Sequence, residues 1–131
     1  MEFHCKRIFM KAGELQFLSF IEPKGQFTIP IYQRTYSWTK DQCTQLWNDI
    51  LKVSKDDSVK GHFIGSIVYV AEGIYEHSSV TGMVVIDGQQ RLTTLSLLLS
   101  ALSKIIDEKE KESEITSEEI NEDYLFNRLK K

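Results

Sequence analysis

The chain has 131 residues, of which 41% are hydrophobic and 27% charged, values of a globular protein with one core rather than a disordered or fibrous chain. Its net charge of −3 divides into −4 over residues 107–131 and +1 over residues 1–106, so no basic surplus draws the body to nucleic acid and anion binding must be local. No apolar run reaches the roughly 18 residues of a membrane span, residues 1–10 lack a signal-peptide core, and Cys5 and Cys43 offer no disulfide framework, which together read as a cytoplasmic domain.

Residues 1–10 read as an N-terminal extension, with Met10 a candidate natural start. Leu15 and Leu18 fall at helix-compatible spacing within Lys11 to Phe20, and Pro23 ends that segment. Phe27 to Ile31 reads as a short strand, confined to an edge or an end by Pro30, which has no N–H to donate. Thr39-Lys40-Asp41-Gln42 fits a capping box, and Cys43, Leu46, Trp47, Ile50 and Leu51 then mark one apolar helical face. Phe63 to Val70 and Met83 to Ile86 are continuous β-branched and aromatic runs, expected as strands buried on both faces. Ala71 to Gly82 joins them as a loop or loose hairpin. A leucine-rich helix is expected from about Gln90 to Ile106, then a charge-dense linker over 107–116 and a last short helix opened by Ser117-Glu118-Glu119. The apolar Tyr124, Leu125, Phe126 and Leu129 suggest the first part of something longer.

Two segments concentrate chemistry. In Val84-Val85-Ile86-Asp87-Gly88-Gln89-Gln90-Arg91 a strand runs into a glycine turn that opens a helix, which leaves N–H groups free at the positive end of the helix dipole. Gly88 allows close backbone approach, Arg91 supplies a planar cationic fork, and Gln89 and Gln90 can each donate and accept. Asp87 could hold a metal ion, orient a water or restrain Arg91; it reads equally well as a plain N-cap of the leucine helix. Against the plain cap, an arginine in a first helical turn needs an anionic partner. The second segment places Tyr32, Gln33, Arg34, Tyr36 and Trp38 within seven residues, a platform for stacking a base or holding a phosphate. Trp38 alone reads better as packing before the capped helix. Gly65 and Ser66 could admit a ligand at a strand start, or merely relieve packing.

Other chemistries lack support. His4, His62 and His77 have no metal-ligand spacing, no Cys-x-x-Cys pair exists, and neither a P-loop nor a dinucleotide-binding glycine pattern occurs. Neither cysteine adjoins an activating base, and Ser66 and Ser96 lack the glycines of a nucleophile elbow.

Taken in order, Ile29-Pro30-x-Tyr32-Gln33-Arg34-x-Tyr36-x-Trp38, Phe63-Ile64-Gly65-Ser66-Ile67 and Ile86-Asp87-Gly88-Gln89-Gln90-Arg91-Leu92-Thr93-Thr94-Leu95 resemble the motifs of the GmrS-type domain, a large bacterial family also called DGQQR or ParB/sulfiredoxin-like. The resemblance spans residues 11–106, with residues 107–131 left as an acidic linker and the start of a helical region. It implies an α/β (α+β) fold, a small mixed β-sheet with packed helices similar to ParB and sulfiredoxin. It further implies a nucleoside triphosphate ligand with Mg²⁺, bound and hydrolysed by a regulatory domain of type IV restriction or phage-defence proteins that acts on DNA through a C-terminal HNH-type nuclease. Carried over, Asp87, Gly88, Gln89, Gln90 and Arg91 become the phosphate and metal segment, with Asp87 and Arg91 as catalytic residues. Gln33 and Arg34, beside Tyr32, become the second wall, and Gly65 and Ser66 complete the nucleotide contacts. No HNH-like histidine cluster is present, so nuclease activity is not expected from this polypeptide. The competing expectations are a DNA-binding module working through Tyr32, Arg34, Tyr36 and Trp38, and a non-catalytic remnant. The nucleobase and the oligomeric state are not legible.

Overall fold

In a computed structural model, residues 11–22, 25–71, 81–109 and 114–126 are described. Among them three strands form one mixed sheet in the order β1-β3-β2, with β1 over Gly25–Thr28, β2 over Val68–Ala71 and β3 over Thr81–Asp87. The central β3 is parallel to β1 and antiparallel to β2. Among the described residues four α-helices accompany it: α1 (Phe17–Ile21), α2 (Lys40–Lys55), α3 (Gln89–Glu108) and α4 (Ser117–Ile120), the last continued by a π-helical turn over Asn121–Leu125. This is the small mixed sheet with packed helices that the sequence led us to expect. Among the described residues, no helix is long and apolar enough to cross a membrane.

Register explains where the polar segments go. Thr28 pairs with Val84, so the parallel strands β1 and β3 point their carboxyl ends the same way, and Val68, where β2 begins, pairs with Asp87 at that same end. The chain leaving β1, the chain entering β2 and the turn after β3 therefore gather at one edge of the sheet. Ligands of open α/β sheets bind in this crevice, beyond the carboxyl ends of strands.

Several boundaries differ from expectation, each for a local reason. The first helix covers only Phe17–Ile21, since Gly13 lies in the preceding stretch and Leu15 remains exposed without a face to bury. The strand expected over Phe27 to Ile31 stops at Thr28, ahead of Pro30, and a turn from Pro30 C=O to Gln33 N–H (3.0 Å) follows. The strand expected over Phe63 to Val70 begins only at Val68, because Gly65 takes a φ of +100°, which no strand residue holds. The joining loop falls mostly on residues 72–80, outside the described residues, as do Cys5, His4, His77 and the 1–10 extension.

Burial of both sheet faces is also corrected. Phe27, Met83, Val85 and Tyr69 share one face by register, and α1 lays Phe20 over it, with ring centroids 5.1 Å from Phe27 and 5.5 Å from Tyr69. Val85 is wholly buried, yet all four residues of β2 and Ile86 of β3 are exposed. A run of β-branched residues suits the extended backbone whether or not both faces are covered, so continuity alone overstated the burial. The apolar face of α2 is likewise only partly covered: Leu46 is buried, while Trp47 is 47% exposed. Leu92 and Leu95 of α3 and Ile120 of α4 complete the core, and α4 and the π-helical turn pack on α3 through Ser103, whose hydroxyl reaches Ser117 C=O and Asn121 Oδ1.

Candidate functional site

The turn from β3 into α3 is built on Gly88. It takes φ +93° and stands at the N-cap, so Asp87 is the last strand residue and not the cap of the leucine helix, correcting that reading. A side chain at 88 would meet Ser66 O at 2.9 Å and Ile67 Cα at 3.1 Å, which makes glycine the residue that lets the 63–67 segment lie against the turn. With Gly88 as N-cap there is no side-chain cap. The first intrahelical bond runs from Leu92 N–H to Gly88 C=O (3.0 Å), and the amides of Gln89, Gln90 and Arg91 have no partner among the described residues. A 20-residue helix thus presents its positive end, with donors free, to the edge of the sheet.

Two other segments close on this turn. Arg91 folds back over Gly65, where an added Cβ would lie 2.5 Å from its Nε, and one guanidinium nitrogen donates to Ser66 O at 3.3 Å. From the other side, Gln33 Nε2 donates to Ile86 O at 3.0 Å. Gln90 Oε1 accepts from Ser37 N–H at 2.8 Å while its Nε2 donates to Thr35 O at 3.1 Å. The Tyr36 hydroxyl lies 2.8 Å from Thr94 Oγ1. Since Thr94 gives its own proton to Gln90 O (2.7 Å), Tyr36 is the donor in that pair. Cys43 Sγ, a free thiol on α2, lies 3.5 Å from the same hydroxyl. A Thr94 hydroxyl acting as donor would lower the Tyr36 pKa, but the Cys43 contact and partial burial raise it and the balance is upward.

Between these walls lies a small open cleft of about 50 Å³ lined by Arg34, Trp38, Asp87, Gly88, Gln89, Gln90 and Arg91. The structure therefore brings together most of the residues singled out in the sequence. Gly65 and Ser66 stand behind Arg91, Gln33 is spent on the Ile86 carbonyl, and Tyr32 is 74% exposed and outside the lining. Trp38, read as packing before α2, also lines the cleft. Thr94 went unassigned, although its place one turn beyond Gln90 on the same helix face was a usable signal.

Two arginines and a helix N-terminus face one carboxylate, Asp87, so the cleft favours an anion. Among the described residues neither arginine has an ion-pair partner; the contact of His62 Nε2 with Asp49 Oδ2 (3.3 Å), an ion pair only when the imidazole is protonated, lies away from the lining. Gln89 is only 6% exposed, yet its side-chain amide has no partner among the described residues, and among them no side-chain polar atom is buried without one, so that amide opens to the cleft. No group of three or more metal-ligating side chains occurs among the described residues. Asp87 alone fits a Mg²⁺ that arrives on phosphate oxygens and keeps most of its waters, not an ion caged by protein.

Fold and cleft together define a small mixed α/β domain whose strand–helix turn gathers two arginines beside a free helix N-terminus. The family of the N-terminal domain of the GmrSD restriction endonuclease matches residues 15–131, every cleft residue included, and the chain belongs to that family. No curated protein matches the chain.

Proposed function

We propose that this chain binds a nucleoside triphosphate by its phosphates and serves as the regulatory domain of a modification-dependent restriction or phage-defence protein in the cytoplasm, acting on DNA through a nuclease part outside this chain. The observation that carries the reading is the convergence of free α3 amides, Arg34, Arg91 and the open amide of Gln89 on one cleft. Its volume of about 50 Å³ is far below the roughly 300–1,000 Å³ of pockets that enclose a drug-sized ligand, so it takes the phosphate end and leaves sugar and base at the rim, beside Trp38.

In hydrolysis, a water oxygen bonds the terminal phosphorus as the bond to the bridging oxygen breaks. Phosphoryl transfer demands mainly positioning and charge stabilisation. Arg91, Arg34 and the α3 amides neutralise the charge that spreads over the phosphate oxygens, and Asp87 accepts a hydrogen bond from the attacking water. Asp87 is the residue that would hold a Mg²⁺, which when bound would supply further neutralisation of the phosphate charge.

The test is a thermal-shift panel of the chain with UTP, GTP, CTP and ATP, with and without Mg²⁺, beside Arg91→Ala and Asp87→Ala. A ligand at a hundredfold excess over its Kd stabilises the folded state by about 2.7 kcal/mol. We expect one nucleotide to raise the midpoint, Arg91→Ala to lose the rise, and Asp87→Ala to abolish turnover while still melting cooperatively. A cooperative melt that no nucleotide moves, with salt-dependent DNA binding instead, would establish the DNA-module reading in its place.

A further inference from the structure

The two neighbouring glutamines of the turn are almost equally buried, Gln89 at 6% and Gln90 at 5% exposure, but their amides are used in opposite ways. Both ends of the Gln90 amide are engaged within the protein, on Ser37 N–H and Thr35 O. Turning that amide toward a ligand would strand a backbone donor and a backbone acceptor. The Gln89 amide has no such bonds and opens to the cleft. We propose that the pair divides its labour: Gln89 is a ligand-contacting residue, and Gln90 is a positioning residue that acts through Arg34. The ligand half of this proposal rests on the nucleotide reading; the positioning half does not.

The geometry behind the positioning half is a set of ties on either side of Arg34. Gln33 is fixed to the end of β3, Thr35 and Ser37 to Gln90, and Tyr36 to Thr94, so residues 33, 35, 36 and 37 are each bound to the β3–α3 unit. Arg34 alone in that stretch makes no such tie among the described residues, and it lines the cleft. A long flexible side chain on a free loop would have many positions to give up on binding; anchoring the backbone on both sides reduces that loss. Gln90 makes two of the ties from a single buried side chain, which makes it the principal anchor. Thr94 and Tyr36 add a further tie, with the Thr94 proton passed to the backbone of Gln90 itself.

Two measurements on the full chain test this. Native-state hydrogen exchange reads the Ser37 amide directly and needs no ligand; Gln90→Leu should speed its exchange at least about tenfold, and Gln89→Leu should leave it within about twofold. Titration calorimetry with the nucleotide that shifts the melting midpoint then forms two double-mutant cycles with Arg34→Ala. Gln90→Leu should weaken binding about tenfold in the wild-type background and less than about twofold beside Arg34→Ala. Gln89→Leu should keep its full factor in both backgrounds. Should Gln90→Leu fail to fold, Tyr36→Phe removes the tie to Thr94 and should show the same non-additivity with Arg34→Ala.

Unchanged Ser37 exchange in Gln90→Leu, or a full factor for that variant beside Arg34→Ala, overturns the positioning role. Unaltered affinity in Gln89→Leu overturns the contact role. Failure of the wild-type chain to bind any nucleotide, with Ser37 exchange still accelerated by Gln90→Leu, overturns the nucleotide reading and the Gln89 assignment and leaves the anchor standing.

Discussion

The turn between β3 and α3 and the edge strand β2 lie side by side at one end of the sheet and invert the usual relation of polarity to burial. The turn is polar, and Gly88, Gln89 and Gln90 are buried within it; β2 is apolar in Val68, Tyr69 and Val70, and all of them are exposed. Apolar residues on a surface are ordinary, whereas buried amides need partners. The polar turn is therefore where the sequence has accepted a constraint, and the side-chain bonds crossing from residues 33–37 to residues 86–94 are how it meets it. The comparison locates the specialised part of the molecule by what is buried, not by what is exposed.

The sharpest way to break this contrast is a pair of truncations. Leu95→Ala removes a buried side chain from α3 and should cost about 2–5 kcal/mol, read as a fall in the urea midpoint at unchanged slope. Val70→Ser on β2, half exposed, should cost less than about 1 kcal/mol in the same assay. A Val70→Ser cost equal to that of Leu95→Ala would mean that β2 is covered after all, and the inversion would vanish.

The two positive-φ glycines sharpen the contrast within the turn. At Gly88 an added Cβ meets the backbone of Ser66 and Ile67, which cannot move without dragging the loop, so Gly88→Ala should cost about 1–3 kcal/mol of stability or more. At Gly65 the close neighbour is the Arg91 guanidinium, which can swing aside. Gly65→Ala bears the same kind of backbone strain, but its larger effect should be on the nucleotide-induced rise in midpoint, which should fall as it does in Arg91→Ala. Equal nucleotide responses in Gly65→Ala and wild type would show that the seat of Arg91 over Gly65 does not matter for binding.

Much of this organisation was legible because it is local. The capped start of α2 follows from Thr39 and Gln42, whose Oε1 does accept the Thr39 N–H at 2.8 Å, and the leucine spacing of α3 is strong over 20 residues. Arg34, Asp87 and Arg91 stood out because charged groups beside strand ends need a reason to be there. What sequence did not reveal is long-range. That Gln90 is bonded to residues 53 and 55 positions away, while Gln89 is not, depends on the crossing of two chain segments and leaves no trace in spacing. The exposure of β2 was hidden for the opposite reason: β-branched residues mark a strand whether its faces are covered or bare.

The smallest effect expected concerns Tyr36, and it tests the outer end of the same set of ties. The Tyr36 pKa lies above its ordinary value: a Thr94 donor would lower it, and Cys43 with partial burial outweighs that. A raised folded-state pKa means that the folded chain holds the phenolic proton more tightly than the unfolded chain does. The resulting contribution is complete below the ordinary tyrosine value of about 10 and is lost as pH rises through the folded-state value. Wild-type stability should therefore decline in alkali more steeply than that of Tyr36→Phe, which has no proton there to lose, in parallel urea titrations from pH 9 upward. The same pKa in both states would make the two curves parallel, and would mean that the Cys43 contact and the partial burial of the Tyr36 hydroxyl do not persist in solution.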